Sequence, residues 1–183
     1  MTAQVSDQIE IDGISYSVLS RLPLPFSLKE QDIHPTMAST ACYKGYFCHY
    51  RVEEDTLYLE DFYVCTAGAI YPPLFGKLPE KNRYTGETMF YMGCAVYRSL
   101  HLPSAYTGNL ILGSGHLSEF YIHAGLQPTY SFEQLYEYTW ADGRILSVLD
   151  RSAEGAAKRE EIRAERERRL AEWEATHGGR RRK

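Results

Sequence analysis

The stretch Tyr106–Gly125, YTGNLILGSGHLSEFYIHAG, is the part of the chain on which the reading of the fold turns. Two short apolar runs, Leu110–Leu112 and Phe120–Ile122, flank Gly113-Ser114-Gly115. Glycine adopts the positive-φ conformations that a tight reversal needs, at no steric cost. Apolar runs on either side of a Gly-rich link predict a β-hairpin with a short loop. His116, Glu119 and His123 fall in the same stretch and are the candidate catalytic residues. Imidazole suits acid–base work at neutral pH because its unperturbed pKa is about 6.5. The plainer reading is favoured: His123 as a strand-end side chain bonded to backbone, His116 and Glu119 as solvated turn residues.

Working outward, Ile9–Val18 alternates apolar and polar residues, a strand signature broken at Gly13 by a turn or bulge. Tyr43–Val52 and Thr56–Tyr63 form a second hairpin across a polar Glu53-Glu54-Asp55 turn. Leu57 and Leu59 point inward; Phe62 has the opposite parity and joins them only across a bulge. Thr88–Tyr91 and Ala95–Leu100 are further strands. Glu133–Trp140 and Arg144–Leu149 make a third hairpin, because Asp142-Gly143 is a strong two-residue turn signal. Residues 22–41 read as a loop-rich connection in which Ser27 caps one helical turn. Residues 64–84 read as a crossing loop with a short helix around Pro73–Lys77. Residues 1–8 are expected to be disordered.

Short strands joined by turns, without a βαβ rhythm, predict a mainly β fold: an antiparallel sandwich or partly open barrel over residues 9–152. The alternation assigns Leu57, Leu59, Leu110, Leu112, Ile122 and Trp140 to the core.

Residues 153–183 are different material. AEGAAKREEIRAERERRLAEWEAT is rich in the strong helix formers Ala, Glu and Arg. Ser152 is placed to cap it, and Gly178-Gly179 to end it. Glu154–Lys158 and Glu165–Arg169 are favourable i,i+4 pairs, while Glu161–Glu165 is a like-charge pair. Ile162, Leu170 and Trp173 make a sparse apolar stripe, too thin to hold the helix tightly. The expectation is a charged, solvent-exposed C-terminal α-helix, ending in Arg180-Arg181-Arg182-Lys183.

Net charge is −4 over 183 residues. Residues 1–150 hold 9 Lys and Arg against 17 Asp and Glu, and residues 151–183 hold 11 against 7. An acidic body with a basic tail follows. The 15 tyrosines against 2 tryptophans favour strands and half-buried surfaces. No apolar run is long enough for a transmembrane helix, and the polar N-terminus does not read as a signal peptide, so a cytoplasmic location and no membrane are expected. The four cysteines, Cys42, Cys48, Cys65 and Cys94, form no CxxC pair and are expected to be reduced, buried thiols. No metal site and no cofactor are expected.

Tyr43, Tyr46, Tyr50, Tyr58 and Tyr63 have the residue type of a base-stacking row, but the acidic body would repel phosphate, and cross-strand packing is favoured. Gly113-Ser114-Gly115 lacks the Lys and following helix of a phosphate loop. Cys48 and His49 are neighbours on a strand, so they face opposite ways and make no thiolate dyad.

The series CYKGYFCHYRVEEDTLYLEDF, YTGNLILGSG, EFYIHAG and ADGRILSVLDRS resembles an uncharacterised family of small bacterial, mostly β, cytoplasmic proteins. The likeness covers roughly Ile9 to Ser152. It implies a compact β domain and brings no activity and no catalytic residues. The chain departs from that pattern in its long tail and in Ala124, where the family pattern has methionine.

Three functions are expected, in order. The first is a non-enzymatic binding or interaction protein of a bacterial cytoplasm, with a protein partner. The second is a small hydrolase-like enzyme using His116 and His123. The third is a nucleic-acid-associated accessory protein, binding weakly through Arg180, Arg181, Arg182 and Lys183.

Overall fold

A computed structural model describes residues 2–81 and 95–177. Ten strands among these residues form one sheet, followed by one α-helix. The strands are β1 (Gln8–Ile11), β2 (Ile14–Val18), β3 (Tyr46–Glu53), β4 (Thr56–Val64), β5 (Glu80–Lys81), β6 (Ala95–Tyr97), β7 (Leu102–Pro103), β8 (Gly108–His116), β9 (Phe132–Ala141) and β10 (Arg144–Asp150). The helix, α1, spans Ser152–His177. The sheet runs β10-β9-β8-β2-β1-β3-β4-β6-β5, with β7 alongside β4. Arg144 of β10 also pairs with Thr56 of β4, so the sheet curls partly into a ring without closing as a barrel. Beyond that pair the strands diverge, and Leu146, Val148 and Leu149 of β10 stay exposed. One neighbour pair, β1–β3, is parallel; the other pairings are antiparallel.

The turns follow from local chemistry. Asp12-Gly13 and Asp142-Gly143 have positive φ at both residues, the backbone a two-residue hairpin with right-handed twist requires. Glu54-Asp55 makes the same reversal without glycine, at φ 47° and 61°. A Cβ on Gly143 would come 1.7 Å from the Ser104 carbonyl oxygen, so that turn excludes any side chain. The bulge expected near Phe62 is present: His49 faces Asp61 and Tyr50 faces Leu59, leaving Glu60 over. It brings Leu57, Leu59 and Phe62 to full burial on one side.

The opening stretch folds differently from its reading. Gly113-Ser114-Gly115 is not a turn: β8 runs straight through it to His116. A Cβ on Gly113 would lie 2.6 Å from the Phe132 ring, so glycine is required by a close cross-strand approach. The partner of β8 is β9, some 16 residues later, in register from Gly108↔Trp140 to His116↔Phe132. Phe120–Ile122 is not a strand. The chain takes a 3-10 turn at Ser118–Phe120, and Ile122 is half-buried, outside the core. The Gln127 side chain bonds both the N–H and C=O of Ile122, doing locally what a strand neighbour would do.

Other readings need correction. Pro73–Lys77 is a tight reversal, with Phe75 and Gly76 at positive φ and Leu74 bridged to Lys77. The strand at Ala95–Leu100 stops at Tyr97, because the chain turns at Ser99 with φ 51°. Residues 2–7 are tied to the body: Gln4 N–H donates to the Gly125 carbonyl and Val5 N–H to the Ala41 carbonyl. The expected strand Thr88–Tyr91 lies outside the described residues. Ser27 does receive the Glu30 N–H, as a capping residue should.

The core sits inside the curl. Ile9, Val18, Tyr50, Leu110, Leu112 and Trp140 are each at most 2% exposed. Leu22 and Ile33 from the long connection join them, and Phe26 meets the Phe62 ring edge-on at 5.5 Å. A smaller cluster of Cys42, Phe47, Tyr63, Cys65 and Val96 includes the outer faces of β3 and β4. Phe47 and Tyr63 stack there at 4.2 Å, and Tyr50 is 2% exposed, whereas Tyr43 is exposed. Cys42 and Cys48 are free buried thiols. Cys65 is in a disulfide, contrary to the expected reduced state.

The first half of α1 lies against β9. Ser152 is inside the helix, and its hydroxyl accepts from Leu135 N–H, while Asp150 accepts the Ser152 N–H. Arg159 donates to the carbonyls of Tyr130 and Phe132. Arg163 and Arg166 lie over the Phe120 ring at 5.2 and 5.4 Å. Of the expected pairs, Glu165–Arg169 forms at 2.8 Å; Glu154 instead pairs with Arg151, and Lys158 with Glu161. Leu170 and Trp173 are exposed.

Candidate functional site

His116, Glu119 and His123 are all exposed and line none of the clefts described below. Both histidines meet the Tyr121 ring edge-on, at 6.2 and 4.8 Å. Glu119 turns to the helix instead, with both carboxylate oxygens accepting from Arg163. Those hydrogen bonds hold its pKa below the usual value, so it stays an ionised partner of arginine. The stretch therefore places two histidines on one tyrosine and commits the carboxylate elsewhere. Arg180, Arg181, Arg182 and Lys183 lie outside the described residues.

A cleft of about 690 Å³ lies where three irregular segments meet. These are Gln4–Asp7 entering β1, Ser20–Leu28 leaving β2, and Cys42–Tyr46 entering β3. Val5, Val18, Leu22, Leu24, Phe26 and Leu28 supply an apolar wall. Asp7, only 6% exposed, is the polar anchor of this region. Its Oδ1 accepts the Cys48 N–H at 2.9 Å, and both its oxygens accept from Lys44 Nζ, at 2.9 and 2.8 Å. Burial works to lower the Lys44 pKa, but the Asp7 carboxylate outweighs it and the ammonium is held charged. Burial pushes the Cys42 thiol up, and the Cys48 thiol well up, so neither is a ready nucleophile. Ser20 Oγ is buried with no hydrogen-bond partner among the described residues.

Sequence reasoning missed this cleft because its parts lie far apart in the chain and carry no motif. The one legible signal is Lys44, a charge placed at the entry of a strand rich in apolar and aromatic residues.

A second cleft, about 370 Å³, is polar and is lined by His49, Glu60, Asp61 and Arg98, among others. Asp61 accepts from Arg98 and from Ser99 N–H. Burial, ahead of the opposing pull of Asp61, moves the His49 pKa down, so the imidazole is neutral at neutral pH. Cys48 is buried in the core while His49 faces this cleft, as the strand alternation requires. Glu53, Glu60 and His101 stand close enough to be considered as metal ligands. However, Glu60 contacts His101 Nδ1 at 2.8 Å, while Glu53 is 3.9 Å from Nε2. Two carboxylates on opposite nitrogens suit an imidazole held between them better than one shared ion. The ring also stacks on Tyr58 at 4.2 Å.

The class defined by these observations is a mainly β protein, one partly ring-like sheet with a C-terminal helix, with an apolar cleft anchored by a lysine–aspartate pair. Comparison with protein-family models, with curated proteins and with solved structures gives no match.

Proposed function

We propose that this protein is a non-enzymatic binding module whose small apolar ligand sits in the cleft between Gln4–Asp7, Ser20–Leu28 and Cys42–Tyr46. The observation that carries the reading is the cleft itself. Its 690 Å³ falls within the roughly 300–1,000 Å³ of small-molecule sites, and an apolar wall with a few convergent polar groups is their usual composition. Its chemistry favours binding over catalysis: Asp7 is engaged in three hydrogen bonds, two from Lys44 and one from the Cys48 N–H, and both free thiols are protonated.

The enzyme reading keeps one supporting observation, in the polar cleft and not at His116 and His123. There the His49 imidazole is neutral and, among the described residues, makes no hydrogen bond and has no activated nucleophile beside it. A bacterial cytoplasmic setting and a protein partner belong to the proposal on the sequence reading. The Cys65 disulfide weighs against a reducing compartment; no helix among the described residues is long and apolar enough to cross a membrane. Nucleic-acid contact, if it occurs, falls to Arg180–Lys183, because Arg159, Arg163 and Arg166 are engaged with the body.

The test is a thermal-shift screen with single-chain C8–C12 compounds, on the full chain and on Val5→Trp, which fills the cleft. A ligand at a hundred times its Kd adds about 2.7 kcal/mol, or roughly 5–10 °C for a domain of this size. The expected result is such a shift in the parent protein and none in Val5→Trp. No shift in either, or equal shifts in both, refutes the site.

A further inference from the structure

The cleft's charges are unbalanced in a way that selects among apolar ligands. Among the described residues, its charged lining side chains are Asp7, Arg21 and Lys44. Asp7 and Lys44 neutralise each other. Arg21 remains, exposed, with no ion pair and no hydrogen bond among the described residues. Lys44 has a third ammonium hydrogen beyond the two aimed at Asp7, and it lies 4.7 Å from the Tyr46 ring centroid. The Tyr46 hydroxyl makes no hydrogen bond among the described residues. Burial raises the Tyr46 pKa, while Lys44 and Arg21 both pull it back, so both cations act at the phenol. Within a body carrying a charge of −8 over residues 1–150 (9 Lys and Arg against 17 Asp and Glu), this cleft has an excess cation.

We propose that the cleft takes a free single-chain amphiphile with a carboxylate head, the chain along Val5, Leu22, Leu24 and Phe26 and the head at Arg21, Tyr46 and Lys44. This rests on the binding-module reading above. Guanidinium, ammonium and phenol are all donors, and a carboxylate accepts from several at once. A neutral head would leave Arg21 without its counter-charge. The occupant is a free molecule and not a lipid in a bilayer, because the site is concave and the acidic body is repelled by an anionic membrane surface.

The experiment titrates the full chain with decanoate and with decan-1-ol at pH 8 by calorimetry, at 50 mM and 500 mM NaCl. It includes Arg21→Gln, Tyr46→Phe, and Arg144→Gln as an exposed control outside the cleft, with sedimentation against anionic vesicles as a separate arm. Decanoate is expected to bind at least about tenfold more tightly than decanol, a difference of about 1.4 kcal/mol. Arg21→Gln should remove most of that preference, Tyr46→Phe part of it, and Arg144→Gln none. Salt should weaken decanoate and leave decanol unchanged, since exposed charges are screened. Equal binding of the two compounds, or an Arg21→Gln variant with the preference intact, overturns the carboxylate assignment while leaving the binding module standing. Binding to vesicles without binding of free decanoate also overturns it. Binding of neither compound overturns the binding-module reading itself.

Discussion

β9 is one strand with two unlike neighbours. On its inner face Tyr138 and Trp140 pack in the core with Leu110 and Leu112, in a cluster held by apolar burial. On its outer face Leu135 and Glu137 meet α1, and the contacts there are largely made by arginines. Arg151 bonds Glu137, Arg159 bonds the Tyr130 and Phe132 carbonyls, and Arg163 and Arg166 close on Glu119 and Phe120. The inner interface is non-directional and insensitive to salt. The outer one consists of charged hydrogen bonds over a thin apolar layer, and it answers to salt and pH. A helix can therefore dock with hardly any apolar stripe, provided long cationic side chains find carbonyls, carboxylates and ring faces.

The largest expected effect is on the inner face. Leu110→Ala should cost about 2–5 kcal/mol in denaturant unfolding, because the site is fully buried and its neighbours belong to paired strands. A cost below about 1 kcal/mol would mean the two faces are not as different as described.

Truncation probes the outer face. A chain ending at Glu167 keeps Arg151, Arg159, Arg163 and Arg166, the arginines that touch the body among the described residues, and should stay within about 0.5 kcal/mol of the parent. A chain ending at Ser152 keeps Arg151 on Glu137 but loses the contacts of Arg159, Arg163 and Arg166 and uncovers Leu135, and should fold with a loss of about 1–3 kcal/mol. Equal stability of the two truncations would show that α1 is not docked in solution.

Acid sharpens the contrast. Glu119 has its pKa lowered first by hydrogen bonds from Arg163, which the 1–152 chain lacks, whereas Glu137, lowered first by Arg151, keeps its partner in both chains. A depressed folded-state pKa contributes stability that is fully present above the unfolded value of 4.5 and is lost as pH falls through the folded value. The stability advantage of the full chain over the 1–152 chain should hold from pH 5 to 8 and shrink below about 4.5, and 1 M NaCl should shrink it at any pH. An advantage independent of both would assign the docking to apolar burial.

The smallest effect expected is a gain. Gly155 is buried in the first turns of α1, yet an added Cβ there meets only Arg159 at 3.4 Å and the Thr129 oxygen at 4.0 Å. Gly155→Ala should stabilise by about 0.4–1 kcal/mol through helix propensity and a less mobile unfolded chain. A loss would mean that the helix sits closer to the 3-10 turn at Thr129–Ser131 than these distances indicate.

Much of the fold was legible because it is written in local chemistry. Asp12-Gly13 and Asp142-Gly143 specify their hairpins, and the alternation at Leu57, Leu59, Leu110, Leu112 and Trp140 picks out the inner face. The bulge below Phe62 followed from parity alone. The misreadings share one cause. Gly113 looks like a turn glycine, but its lack of a side chain answers to Phe132, 19 residues away. Asp7 and Gln4 look like a polar, disordered start, but their partners are Lys44, Cys48, Tyr43 and Gly125. Glu119 looks like a companion of His116, but its charge is answered by α1.

By itself, the sequence determined most of the long strands, the Asp-Gly reversals between them and which end of the chain is helical, since turn chemistry and side-chain periodicity act over a few residues. The strand order, the partial curling of the sheet, the arginine-held helix and the cleft around Asp7 and Lys44 were decided only in the tertiary structure. Each depends on which distant groups arrive side by side, and burial, ion pairing and close approach are properties of that meeting and not of either segment alone.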